Sequence, residues 1–68
     1  MTPIYLDLPG VASALSLSTR TVQNLVAAGT FPKSRLLTGR RVAWLTREVQ
    51  AWAEARPVSD LLPPGNAL

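Results

Sequence analysis

The 68-residue sequence contains no cysteine and no histidine, and only four of its residues are acidic. Without cysteine there is neither a disulfide nor a thiolate nucleophile, and without cysteine or histidine the usual zinc sites cannot form. Four scattered carboxylates without a histidine are a poor basis for acid–base catalysis. We therefore expect that the protein is not an enzyme and holds neither a metal nor another cofactor.

Long apolar runs are also missing from the sequence. No run approaches the roughly 20 residues that a membrane-spanning helix needs, and the N-terminus lacks the charged region and apolar stretch of a secretion signal. The length allows a single domain. We expect a soluble, cytoplasmic protein with no membrane partner.

Positive charge is concentrated in the middle of the sequence. Seven lysines and arginines against four acids give a net charge of +3. Six of the basic residues follow one another with no acid between them: Arg20, Lys33, Arg35, Arg40, Arg41 and Arg47. This order predicts one continuous basic surface, and a polyanion as its partner.

Two short helices are predicted in the first half of the chain. Asp7 is suited to cap the first helix, with Pro9 in its first turn. Ser18 is suited to cap the second helix, and Gly29 to end it in the left-handed conformation. Leu17, between the two helices, is expected to fill the space where they meet. Two helices joined in this way predict a helix-turn-helix motif.

The second of these helices has one apolar face and one polar face. Val22, Leu25 and Val26 share the apolar face by helical spacing. A short helix with a polar outer face fits the major groove of DNA, where each base pair presents a distinct pattern of donors and acceptors. The predicted DNA contacts at its start, outer face and flanks are Ser18, Thr19, Arg20, Thr21, Gln23 and Asn24.

A basic β-hairpin is predicted after the second helix. Residues 34–37 and 40–45 favour two strands around a turn at residues 38–39, with Arg40 near the tip. Such a hairpin beside a recognition helix can reach phosphates or the adjacent minor groove. The predicted DNA contacts of the hairpin and its flanks are Lys33, Arg35, Arg40 and Arg41.

A third helix is predicted after the hairpin, with Thr46 as its cap. Val42 and Trp44 fall on one side of the second hairpin strand by alternation. Trp52 falls on the inward stripe of the third helix. We interpret both tryptophans as core residues in preference to stacking platforms for unpaired bases.

The order helix, helix, hairpin, helix is that of a winged helix-turn-helix, a mostly α fold with a small β-hairpin as the wing. We assign residues 1–56 to this DNA-binding domain. Proline and glycine interrupt residues 57–68, which we expect to be an extended or disordered tail. Within the tail, Leu61-Leu62-Pro63-Pro64 is either a docking segment for another protein or part of a frayed end.

Several motifs resemble one family. Leu17-Ser18-x-x-Thr21-Val22 and Gly29-x-Phe31-Pro32-Lys33 resemble the helix-turn-helix of AlpA-like prophage regulators and phage excisionases. Gly39-Arg40-Arg41-Val42-x-Trp44-Leu45, followed by Glu48-Val49-x-x-Trp52, resembles their wing and third helix. The resemblance covers roughly residues 5–56 and implies a MerR-like winged-helix fold.

The resemblance implies double-stranded DNA as the partner. Excisionases of this group bind and bend attachment-site DNA, often as cooperative arrays, and direct a phage integrase toward excision. An excisionase role, with integrase as a second partner and self-association on DNA, is therefore our first hypothesis. AlpA-like members instead regulate transcription from promoter DNA. In an alternative of another class, the protein is a small interaction module or an antitoxin whose basic surface meets an acidic protein.

The DNA sequence that is bound does not carry over from the family. Many relatives have an aromatic and then a basic residue where Gln23 and Asn24 stand, and an acid where Gly10 stands. Amide side chains suit adenine and Arg20 suits guanine, so these residues are hypothetical base contacts.

Overall fold

The computed structural model describes residues 2–61 of the protein. The strands are β1 (Tyr5–Leu6), β2 (Arg35–Thr38) and β3 (Arg41–Leu45). The helices are α1 (Leu8–Leu15), α2 (Thr19–Ala27) and α3 (Thr46–Glu54). The order of these elements is that of a winged helix-turn-helix, as predicted. In the described part of the chain no helix is long and apolar enough to cross a membrane.

The first helix begins as the sequence predicts. The Asp7 carboxylate accepts a hydrogen bond of 2.9 Å from the Gly10 backbone N–H. A Cβ atom at residue 10 would lie 3.0 Å from Oδ1 of Asp7. Glycine at this position therefore leaves room for the capping carboxylate. The helix ends at Ser16, which has a left-handed backbone with φ 59°.

The second helix also has the predicted ends. The Ser18 hydroxyl accepts a hydrogen bond of 3.1 Å from the Thr21 N–H, and Gly29 follows the helix with φ 76°. The prediction for Leu17 was wrong, because its side chain is 36% exposed. Val11 and Val22 are fully buried and are the largest such side chains. They occupy the space between the helices, so Leu17 stays at the surface.

The three strands form one antiparallel sheet in the order β1–β3–β2. Leu36 pairs with Val42, and Thr38 pairs with Arg41, with an irregularity in register between Leu36 and Thr38. Because of this irregularity the turn lies at residues 39–40, one residue later than predicted. Gly39 has φ 53° in the turn, and Arg40 lies at its tip.

The buried core joins all three helices to the sheet. Its members are Val11, Ala12, Val22, Phe31, Trp44 and Val49. The Trp44 indole N–H donates to the Pro32 carbonyl at 2.8 Å, and the Trp52 indole N–H donates to the Thr30 carbonyl at 2.8 Å. Trp44 is buried and Trp52 packs against the core. Both tryptophans are therefore structural, as predicted.

The predicted cap of the third helix was wrong. The residue at the capping position is Leu45, which makes no side-chain capping hydrogen bond, and Thr46 is the first helical residue. The Thr46 N–H donates to the Ile4 carbonyl at 2.9 Å. The Thr46 hydroxyl is buried and has no hydrogen-bond partner within residues 2–61. The sheet therefore fixes the start of α3, in place of a side-chain cap.

Residues 57–61 follow α3 outside helices and strands, and their side chains are exposed. Of the predicted docking segment Leu61-Leu62-Pro63-Pro64, only Leu61 belongs to the described residues. The rest of the predicted tail lies outside them.

Candidate nucleic-acid interface

The outer face of α2 carries three long polar side chains. Arg20, Gln23 and Asn24 are exposed, whereas Val22 on the opposite face is fully buried. None of the three makes a side-chain hydrogen bond to another residue in the described range 2–61. Their donors and acceptors are therefore available to a ligand.

The start of α2 is arranged differently. The hydroxyls of Ser18 and Thr21 lie 2.9 Å apart and are hydrogen-bonded to each other. Ser18 also accepts from the Thr21 N–H, so it stabilises the end of the helix. Thr19 is exposed beside them. All six predicted α2 residues thus lie at the start or on the exposed side of one helix, and two of them also form its cap.

The wing consists of β2, β3 and their turn, residues 35–45. Arg40 in the turn and Arg41 at the start of β3 are both exposed, and Lys33 is exposed just before β2. The tight turn at Gly39 places the two arginines at the end of the hairpin, away from the core. The wing therefore presents positive charge at its tip, as predicted.

Helix α2 and the wing border a common depression. It measures about 340 Å³ and is lined by Leu8, Gln23, Val26, Ala27, Ser34, Val42 and Trp44. Gln23 and Ala27 belong to the exposed side of α2, and Val42 belongs to the wing. No acid is among the lining residues. The polar face of α2 and the wing are therefore neighbouring parts of one surface.

One predicted DNA contact has an acidic neighbour. The Arg35 guanidinium lies 2.9 Å from the Glu48 carboxylate, which belongs to the first turn of α3. Both side chains are partly exposed, so the pair contributes little to stability. The ion pair does, however, partly neutralise the charge of Arg35. The local sequence gave no signal of this contact, because the two residues are 13 positions apart and meet only in the folded chain.

Glu48 is expected to compete with DNA for Arg35. In Glu48→Gln, the Arg35 guanidinium has no ionic partner on α3 and is therefore available to a DNA phosphate. We expect tighter binding at low salt and a log–log salt slope steeper by up to about 0.9, the value for one added phosphate contact. Fluorescence anisotropy over a salt series measures both quantities.

Glu54→Gln is the matched control for this prediction. It also removes one negative charge from α3, but Glu54 accepts a hydrogen bond from Gln50 and lies at the other end of the helix. An equal change of slope in both variants would show only an effect of net charge. An unchanged slope in Glu48→Gln would mean that Arg35 lies far from any phosphate.

Aromatic side chains do not form a large exposed patch in residues 2–61. Phe31 and Trp44 are buried, and Phe31 packs edge-on against Trp52 with 4.8 Å between ring centroids. The Arg56 guanidinium covers the Trp52 ring at 4.3 Å. Protein interfaces centre on exposed aromatic anchors. The outer face of α2 and the tip of the wing instead carry polar and basic side chains, which favour a nucleic acid as the partner.

Comparison with known proteins places the chain in a family. The family described as "Prophage CP4-57 regulatory protein (AlpA)" matches residues 5–57. The chain is also 40% identical over 52 residues to ORF88 of Enterobacteria phage P4, an uncharacterised protein. That alignment covers 76% of the chain and 59% of ORF88, so the chain spans less than two thirds of this relative. No solved structure matches the chain. The chain belongs to the AlpA family of phage regulatory proteins.

Proposed function

We propose that the protein binds double-stranded DNA at specific sites and acts as a phage excisionase. The observation that carries the proposal is the exposure of Arg20, Gln23 and Asn24 on α2, beside a wing whose tip carries Arg40 and Arg41. One surface thus offers side chains suited to base edges and side chains suited to phosphates.

In the proposed complex, α2 lies in the major groove. Gln23 and Asn24 amides form paired hydrogen bonds with adenine, and Arg20 binds guanine. The wing crosses the neighbouring backbone, where Arg40 and Arg41 bind phosphates or enter the adjacent minor groove. Lys33, between α2 and the wing, adds a further phosphate contact. The protein itself breaks and forms no bond.

Excision requires more than binding. Contacts in two neighbouring grooves favour a bent duplex, since the added contacts offset the free energy of bending. Several copies side by side on attachment-site DNA then give the shape on which an integrase acts toward excision. DNA bending, self-association on DNA and the integrase partner are all parts of this proposal.

The experiment compares attachment-site DNA of the prophage that carries the gene with random DNA in a gel-shift assay. Discrete, stepwise complexes on attachment-site DNA alone support assembly of an array. An excision assay with the integrase of that prophage then decides the role. Site-specific binding without any effect on excision would overturn the excisionase role and leave DNA binding intact.

Regulation of transcription is a second candidate, because the matching family is described as regulatory. It requires the same surface and differs in the position of the DNA site. Preferred binding to a prophage promoter, together with altered reporter expression, would support it. If neither DNA is bound better than random DNA, a protein partner becomes the better hypothesis.

Arg40 is expected to bind a phosphate. In Arg40→Ala we expect the log–log salt slope to become shallower by about 0.9, because one phosphate contact is lost. The preference for specific over random DNA should change little, since phosphate contacts carry no direct sequence information.

Arg56→Ala is the control for Arg40→Ala. It removes the same charge, but the Arg56 guanidinium lies over Trp52 after the end of α3. Its slope should equal that of the unmodified protein. An unchanged slope in Arg40→Ala would contradict the placement of the wing on DNA.

A further inference from the structure

The depression between α2 and the wing has a mostly apolar lining. Val26, Trp44 and Leu8 are buried or half-buried within it, and the more exposed Ala27 and Val42 continue the apolar surface outward. Gln23 and Ser34 are its polar lining residues. Val42 is 45% exposed although it shares a face with buried Trp44.

An exposed valine at this position needs an explanation. Val42 does not belong to the buried core, whereas Trp44, on the same face of the strand, does. Its cross-strand neighbour Leu36 is 69% exposed, so the apolar surface continues across the wing. This apolar surface lies next to Gln23 and Ala27 on the side of α2 that we place in the major groove.

The charges nearby favour DNA as the occupant of the depression. Lys33 adjoins its lining residue Ser34, whereas Arg41 lies on the opposite face of the wing from Val42, where it lines another depression with Ala43. Arg20 lies one helical turn before Gln23, and no acid lines the depression. Lys33 and Arg20 suit an anionic partner, and the apolar lining suits one that also presents a small apolar group. In the major groove, the apolar group on a base edge is the 5-methyl group of thymine.

We propose that this depression binds the 5-methyl group of a thymine in the DNA site, against Ala27 and Val42. Gln23 is then placed to bind the adenine of the same or an adjacent base pair, since amides pair with adenine N6 and N7. The volume of about 340 Å³ exceeds what one methyl group needs, and leaves room for the adjoining sugar. This inference rests on the proposed DNA binding and names a base that the site must contain.

The test replaces thymine by deoxyuridine, which lacks only the 5-methyl group. A tightly bound duplex is first selected from a random pool, and each thymine is then replaced singly. We expect at least one position at which binding weakens about three- to fivefold, the effect of burying one methyl-sized group. Equal affinity for every thymine and deoxyuridine duplex would overturn the inference.

Two protein variants test whether the thymine methyl group binds at this depression. Val42→Thr keeps the branched shape but places a hydroxyl in the depression, so the preference for thymine over deoxyuridine should fall toward one. Val58→Thr makes the same change at a residue that is 95% exposed and outside the interface, and it should keep the full preference. Thermal melting confirms that both variants are folded. An undiminished preference in Val42→Thr would overturn the placement at this depression.

The outcome also separates this inference from the proposed function. Selection of a defined duplex without any thymine effect overturns the methyl site alone, and specific DNA binding stands. Failure to select any preferred duplex overturns site-specific binding, and the methyl site with it.

Discussion

Replacing Trp44 with alanine is expected to lower the free energy of unfolding by about 3–5 kcal/mol, the usual cost of removing a buried tryptophan. Its side chain lies in the core, only 6% exposed, and its indole N–H donates to the Pro32 carbonyl. A domain of this length has a total stability of roughly 3–10 kcal/mol. The substitution therefore removes a large share of it. Urea denaturation followed by circular dichroism measures the change.

Two further variants make the Trp44 result interpretable. Trp44→Phe keeps an aromatic ring near Phe31 but leaves the Pro32 carbonyl without its donor, so we expect an intermediate loss of about 1–3 kcal/mol. Val58→Ala, at a fully solvated residue, should leave stability unchanged. A loss below about 1 kcal/mol in Trp44→Ala would contradict the core described here.

Asn24→Ala is expected to weaken binding to the specific DNA site by about 5- to 150-fold. A paired amide–adenine contact contributes about 1–3 kcal/mol of discrimination, and alanine cannot make it. Binding to random DNA and the salt slope should stay the same, because Asn24 carries no charge. Titrations of both DNAs in parallel measure the ratio of the two affinities.

Gln50→Ala is the matched control for Asn24→Ala. Gln50 is also an exposed amide on a helix, but it belongs to α3, where it donates to Glu54. It should retain the full preference for the specific site. If Asn24→Ala binds the specific site as well as the unmodified protein does, α2 does not read bases through this residue.

Features set by neighbouring residues were predictable from the sequence. The caps at Asp7 and Ser18 each involve a backbone N–H three residues later, and the left-handed Gly29 follows from its own lack of a Cβ atom. The polar face of α2 follows from helical spacing alone. Such local rules were sufficient for the order of the three helices and the hairpin, and for the two elements of the candidate interface.

Features set by distant residues were not predictable in the same way. Thr46 resembles a cap, but its N–H bonds to Ile4, which only the sheet brings near. Glu48 reaches Arg35 across 13 positions. A stretch of sequence without acidic residues can therefore still have an acidic neighbour in the folded protein. The exposure of Val42 depends on how far the hairpin extends past the core. Alternation along the strand predicts which face of the sheet Val42 lies on, but not how far its side chain is buried.

The hydrogen bond between Ile4 and Thr46 has a consequence for how the chain folds during synthesis. Strand β1 has two residues and pairs only with β3, so it has no partner until the wing has been made. Contacts between residues so far apart along the chain form late and together with the rest of the domain. Strand β1, α1 and α2 emerge from the ribosome before β3, so the sheet that holds α3 closes only when both ends of the domain are present. A short strand at the start thus makes the whole domain fold as one unit.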